Sequence, residues 1–308
     1  MTAPDGPGRE SVAVVIVTYN RADLLTRMLD GLAAQTRLPD AVVVVDNAST
    51  DHTAEVLAAR DDLPLQVISS PENLGGAGGF HLGTKTAYEA GYDRIWLVDD
   101  DTVPAPDCLA VLMAADEDCL MVVREDLAGH LVEKSALRFD LANPLAIRPK
   151  TASVDSTYAS RADMPERVPV ENVAFEGFMT RSSVIDEIGL PDPSFFIFYD
   201  DVDFAIRVRR SGRTIWAQRD AVLVRQLDFN QQHDLSGWKG YYMYRNLFVV
   251  HLRYGENLLV RLKPLLITLA VVVLSPLRGG RAEAGNVTRA MRDAWGMRAV
   301  PGPRPARR

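Results

Sequence analysis

The chain has 308 residues, 47% of them apolar, enough to fill one large α/β domain with appendages or two ordinary domains, which excludes a wholly disordered protein. With 24% charged residues, 21 Gly and 18 Pro, fibrous and low-complexity classes are excluded as well. A net charge of −7 argues against a chain-wide footprint for nucleic acid, yet residues 261–308 carry ten Lys/Arg against only Glu283 and Asp293, a basic end on an acidic body.

Residues 1–10 are polar and Gly/Pro-rich, without the charged-then-apolar order of a secretion signal, so a disordered start and a cytoplasmic body are expected. A β-branched run at 12–17 has the length of a strand buried on both faces, and a helix-like stretch at 21–35 follows. The alternation recurs: a strand at 41–45 with a helix near 53–60, a strand at 65–68 with a helix at 78–90, and a strand at 94–98 with a helix at 106–115. Strand alternating with helix predicts an α/β fold, a mostly parallel sheet flanked by helices. Cys108 and Cys119 lack the spacing of a zinc site or disulfide framework and read as buried thiols. Residues 124–174 are irregular, an insertion or second lobe. Periodicity returns at 175–181, followed by a helix-like stretch at 182–189, an aromatic run at 195–199, a helix from about 201 to 211, and short strand-like pieces at 214–216 and 221–224. A polar stretch at 226–236 reads as mobile, and a Tyr-rich helix containing Arg245-Asn246 follows. Residues 264–277 are uncharged, shorter than the roughly 18 to 20 that span a bilayer, and flanked by Arg261, Lys263, Arg278 and Arg281, the pattern of an interfacial segment; a buried core helix is the alternative.

In parallel sheets, ligands bind outside the carboxyl ends of the strands. Here those ends carry Thr18-Tyr19-Asn20, Asp46-Asn47, Asn73 with a glycine-rich loop, and Asp99-Asp100-Asp101. Three adjacent carboxylates repel unless they share a cation, and oxygen-only ligands favour Mn²⁺ or Mg²⁺; the plain alternative is a solvated acidic turn. The loop from Asn73 through Gly75, Gly76, Gly78 and Gly79 enters a helix, where bare backbone can bind an anion such as a nucleoside diphosphate, or merely make a tight turn. It matches neither the dinucleotide fingerprint nor a P-loop. Asp46-Asn47 suits a base or ribose, or an Asx turn. Asp200-Asp201-Val202-Asp203 follows an apolar wall that raises a carboxylate pKa, so one of these acids suits a general base; capping of the helix is the alternative. None of the five His has metal-motif spacing, but His233 lies where a mobile segment can fold over a phosphate or metal.

Five pieces, Val17-Thr18-Tyr19-Asn20-Arg21, Val44-Val45-Asp46-Asn47-Ala48-Ser49-Thr50-Asp51, Asn73-Leu74-Gly75-Gly76-Ala77-Gly78-Gly79-Phe80, Trp96-Leu97-Val98-Asp99-Asp100-Asp101 and Phe196-Ile197-Phe198-Tyr199-Asp200-Asp201-Val202-Asp203-Phe204, together resemble the inverting family 2 nucleotide-sugar glycosyltransferases. The resemblance covers roughly residues 12–250 and is strongest to actinobacterial galactofuranosyltransferases acting on a rhamnosyl-GlcNAc-diphosphate polyprenol. It implies a GT-A type Rossmann-like sheet with a C-terminal, membrane-associating helical extension. The implied organisation is a nucleotide-sugar-binding half at 11–123, an acceptor-binding and catalytic half at 124–237, and helices with a basic tail at 238–308. It also implies a UDP- or dTDP-linked sugar donor, a polyprenyl-diphosphate-linked saccharide acceptor, a divalent metal and a peripheral place on the inner face of the cell membrane; a homo-oligomer is compatible with it.

Residue by residue, the resemblance puts the nucleoside at Thr18 and Asp46 beside Asn73, Gly75 and Gly76, with Asn20 and Arg21 near the donor. Asp99 and Asp101 bracket the metal and diphosphate, Asp100 and Asp200 adjoin the substrates, and Asp201 is the general base. Where many relatives place a His after the last strand this chain has Arg225, so either His233 completes the metal site or Arg225 contacts the diphosphate. A rhamnosyltransferase using dTDP-rhamnose, a nucleotidyltransferase and a non-catalytic sugar-nucleotide-binding protein are the competing readings.

Overall fold

The computed structural model describes residues 9–146, 148–227, 235–275 and 281–300. The first half alternates as the periodicity predicts: β1 (Val12–Thr18), α1 (Ala22–Ala33), β2 (Ala41–Asp46), α2 (Thr53–Ala58), β3 (Leu65–Ser69), α3 (Gly75–Ala90) and β4 (Arg94–Asp99). Every residue of β1 and β2 is buried, which is why both read as unbroken apolar runs. On α1, Leu25, Met28, Leu29 and Leu32 recur at helical spacing and pack on the sheet. Gly91, with φ 92°, ends α3 in the left-handed conformation that a side chain disfavours. The short β5 (Thr102–Pro104) and α4 (Cys108–Ala114) lead to β6 (Cys119–Glu125). Both thiols lie in the core, and burial raises the pKa of each, that of Cys119 to about 12.

The irregular stretch resolves into β7 (Ala136–Phe139) paired with β8 (Lys150–Ser153), a turn of helix α5 (Val154–Thr157), and β9 (Arg167–Val170). Instead of standing apart, β9 joins the main sheet along its last long strand. Then come β10 (Phe178–Arg181), α6 (Ser182–Ile188), α7 (Asp200–Arg210) and β11 (Ile215–Arg225). The two strand pieces expected at 214–216 and 221–224 are one strand with a register shift between Ala217 and Val222; the bulge breaks the alternation and makes it read as two.

The main sheet has the order β3-β2-β1-β4-β10-β6-β11-β5, with β9 on β11. Strands β3, β2, β1 and β4 are parallel, and β6 and β11 share their direction. Between β4 and β6 sits the antiparallel β10. This insertion brings the start of β10 to the same rim as the carboxyl ends of its neighbours. Among the described residues three helices follow, α8 (Trp238–Tyr254), α9 (Leu258–Leu274) and α10 (Arg281–Gly296), packed through Phe248, Val249, Val271, Val287 and Ala290. Asn257 caps α9 by accepting from Val260 N at 3.0 Å.

On α9, Leu258, Leu259, Leu262, Leu265, Leu266, Leu269, Val272, Val273 and Leu274 are exposed. Among the described residues no helix is long and apolar enough to cross a membrane. Lys263, expected to flank the apolar segment as a surface cation, is buried instead; its ammonium donates to Asn143 O at 2.7 Å and Ala146 O at 2.9 Å. It pins α9 to the 143–146 turn. Arg278, like residues 1–8, most of 226–236 and the tail from 301, lies outside the described residues.

Candidate active site

The carboxyl ends of β1, β2 and β4 and the first turn of α3 enclose a cavity of about 390 Å³, lined by Thr18, Tyr19, Asn47, Asn73, Gly75 and Gly76, with Trp238 and Lys239 of α8 on the far side. A second cavity of about 270 Å³ adjoins it, and Arg21, Gly76, Asp99, Ile197 and Lys239 border both. Asp101, Glu176, Asp200, Asp201 and Arg225 line the second. Residues far apart in the chain thus converge on one rim, because the strands that carry them run side by side.

Local geometry explains each placement. Asn73 Oδ1 accepts from Gly75 N at 2.8 Å, turning the chain into α3. Gly75 has φ 70°, and a Cβ there would overlap the carbonyl of Phe196. Asn47 Nδ2 donates to Gly75 O at 3.0 Å, while its Oδ1 is buried without a hydrogen-bond partner. Asp46 accepts from Ser49 N at 2.9 Å and does not line either cavity; its neighbour Asn47 does. Asn20, at φ 53°, accepts from Thr50 N at 2.7 Å and likewise serves the loop rather than the cavity wall. His233 lies outside the described residues.

The acidic triplet already has one cation. Arg21 NH1 donates to Asp100 Oδ1 at 2.9 Å and to Asp101 Oδ2 at 3.3 Å. Asp101 Oδ1 nevertheless stays buried and unpartnered. Burial first, then the charge of Glu176 and the neighbouring acids, holds Asp99 well above the usual carboxylate range, and burial and Glu176 raise Asp101. Oxygen donors with raised pKa values and an orphaned carboxylate oxygen fit a hard divalent cation. Among the described residues no three His, Cys, Asp or Glu side chains form a complete ligand set. Such an ion would therefore rely on one or two carboxylates and draw its other ligands from substrate phosphates or water, as Mg²⁺ commonly does.

Glu176 is the residue that sequence reasoning missed. It forms an ion pair with Arg225 at 3.1 Å and another with Arg124, which in turn donates to Glu133 at 2.8 and 2.9 Å. Arg225 therefore sits on the cavity wall beside a carboxylate. Only the antiparallel insertion of β10 brings Glu176 to this rim, and no local pattern announces that.

Tyr199 opens α7 in a left-handed conformation, and Asp200, Asp201 and Asp203 fill its positive first turn. Their roles separate by surroundings. Asp203 is fully buried and accepts from Arg207 Nε at 2.9 Å, Arg253 NH1 at 2.8 Å and Tyr254 OH at 2.7 Å, which commits it to the fold. Asp200 is buried, and burial and Asp201 push its pKa well up. Asp201 is partly exposed to the cavity; burial and Glu176 raise its pKa to about 6, although Val202 N donates to it at 2.7 Å. A carboxylate poised there can take a proton from a hydroxyl near neutral pH.

The Glycosyl transferase family 2 profile matches residues 13–123. Galactofuranosyltransferase GlfT1 of Mycobacterium tuberculosis is 38% identical over 206 residues, 66% of each chain. GlfT1 of Mycolicibacterium smegmatis is 33% identical over 204 residues, 66% of this chain and 67% of that one. The matches thus span about two thirds of these relatives. In fold, the chain resembles a Pyrobaculum calidifontis mannosyltransferase solved with GDP-Man and Mn²⁺, with TM-score 0.54 and 21% identity over 97% of this chain and 79% of that one.

Proposed function

This chain belongs to the family 2 glycosyltransferases, and on that premise we propose that it moves galactofuranose from UDP-galactofuranose to a polyprenyl-diphosphate-linked saccharide by one inverting displacement. The carrying observation is Asp201, partly exposed with a pKa near 6, on the wall of the cavity that adjoins the glycine-rich loop and the acidic triplet.

In this reading the nucleoside lies against Thr18, Asn47 and Asn73, and its diphosphate reaches towards Arg21, Lys239 and Arg225. Asp201 takes the proton of the acceptor hydroxyl as that oxygen bonds to the anomeric carbon, and the carbon–oxygen bond to the diphosphate breaks on the opposite face. The nucleoside diphosphate leaves with both electrons of that bond. Asp99 and Asp101 would hold Mn²⁺ or Mg²⁺, which supplies Lewis-acid stabilisation of charge on the diphosphate. The enzyme would lie peripherally on the inner face of the cell membrane, a place supported by the exposed leucines of α9 and the surplus of Lys/Arg in residues 261–308.

The test is turnover by purified protein in detergent with Mn²⁺, offering UDP-galactofuranose, dTDP-rhamnose, UDP-glucose and UDP-GlcNAc in parallel. Metal-dependent turnover of UDP-galactofuranose, lost in Asp101→Ala, is expected. Asp201→Asn should slow transfer roughly 10²- to 10⁴-fold, leaving a measurable residual rate, while donor binding persists. Turnover of dTDP-rhamnose alone would overturn the sugar, and unimpaired transfer by Asp201→Asn the base.

A further inference from the structure

Asn246 lies inside α8, where asparagine is a poor helix former, and it is fully buried, where an unpaired amide is costly. Its hydrogen bonds account for its presence. Nδ2 donates to Phe195 O at 3.0 Å, Ile197 O at 2.7 Å and Phe198 O at 2.9 Å, while Oδ1 accepts from Arg245 Nε at 2.8 Å. Arg245 NH2 donates to Ser194 O at 2.8 Å and Phe195 O at 2.7 Å. The remaining carbonyl of the run, Phe196 O, accepts from Ala77 N at 3.1 Å in the first turn of α3. All five carbonyls from 194 to 198 are thus held, four from α8 and one from the glycine-rich loop.

The same run is strained. Phe196, Phe198 and Tyr199 have φ of 64°, 67° and 68°, positive values that bulky side chains avoid. These conformations bring the carbonyls of Phe195, Ile197 and Phe198 to one donor, without which the strained peptide units are free to relax. Two residues beyond Tyr199 stands Asp201.

We propose that Asn246, aligned by Arg245, is the positioning residue for Asp201: it holds the 195–199 loop in its strained curl and so fixes where the first turn of α7 presents the carboxylate. The inference rests on the reading of Asp201 as general base. It assigns the Arg245-Asn246 pair, whose purpose the sequence leaves open, to the orientation of catalysis rather than to the binding of a substrate.

Asn246→Asp is nearly isosteric and keeps the oxygen that Arg245 contacts, but puts a second oxygen against three carbonyls. Asn246→Ala removes the side chain without adding charge and serves if the first variant does not fold. Both are compared with Asp201→Asn and with the double variant Asn246→Ala/Asp201→Asn, with rates expressed per UDP-binding site titrated by calorimetry, so that unfolded protein does not count. Expected is a fall in kcat of roughly 10- to 100-fold in either Asn246 variant, with donor KM and UDP affinity within about twofold, because a misplaced base slows chemistry more than binding. The double variant should be no slower than Asp201→Asn alone, since both changes act through one group.

An unchanged kcat in Asn246→Ala beside a strongly slowed Asp201→Asn overturns the inference and leaves the base assignment standing. A loss seen chiefly in KM or UDP affinity, or an additive loss in the double variant, overturns it as well. Wild-type transfer by Asp201→Asn instead removes the base assignment and this inference with it.

Discussion

Asp200, Asp201 and Asp203 stand in one helical turn, and their neighbours alone decide what each can do. Asp203 is locked by Arg207, Arg253 and Tyr254; Asp201 meets the cavity and keeps a pKa near 6. As the proposed general base Asp201 would work ionised, so kcat/KM is expected to rise roughly tenfold per pH unit up to about 6 and level off above it. The same shift has a sign for stability: the folded protein holds the Asp201 proton more tightly than the unfolded chain, whose aspartates titrate near 3.9. The contribution is complete below that value and is lost as the pH rises through 6. Asp201→Asn should therefore melt higher than the parent at pH 8 and not at pH 4; equal melting at pH 8 would contradict the raised pKa. Asp99, Asp100 and Asp101 were legible because they cluster at a strand end, and Asp200, Asp201 and Asp203 because they follow an apolar run. Their division of labour was not, since it depends on Glu176, Arg253 and Tyr254, which arrive from elements distant in the chain.

Between residue and fold stands the 195–199 loop, joined to α3 on one side and α8 on the other. Gly75 makes the first junction possible, for any Cβ there would strike the Phe196 carbonyl, while a Cβ on Gly76 would meet nothing within 4 Å. Gly75→Ala, with its φ of 70°, should lose roughly 1–3 kcal/mol and melt several degrees lower. Gly76→Ala should melt at the parental temperature or slightly above. Thermal melts of the two read this directly, and equal behaviour would refute the close junction. Sequence periodicity found most helices and strands to within a few residues, because apolar spacing reports burial. It divided β11 in two where a bulge interrupts the alternation, and it set Lys263 at the surface because nothing local reveals the Asn143 and Ala146 carbonyls that take its ammonium.

At the scale of the molecule, one sheet carries the residues proposed for donor binding and catalysis to a shared rim, which Trp238 and Lys239 of α8 also border. The parallel order of β3, β2, β1 and β4 follows from alternation, whereas the insertion of β10 between β4 and β6 is a pairing choice that strand-by-strand reading does not contain. Leu266 and Leu269 on α9 are 63% and 62% exposed, and changing both to Asp should spare the fold. On vesicles rich in anionic lipid, sedimentation of Leu266→Asp/Leu269→Asp should fall about tenfold or more, with transfer to a short water-soluble acceptor retained. Undiminished sedimentation would assign that face another purpose. The two cysteines, finally, lie in the core with depressed acidity, so neither is poised to meet an alkylating probe. A single cysteine placed at the cavity rim would then be the one thiol to take a fluorophore or spin label, and the labelled chain could report on filling of the cavity without first being stripped of its native thiols.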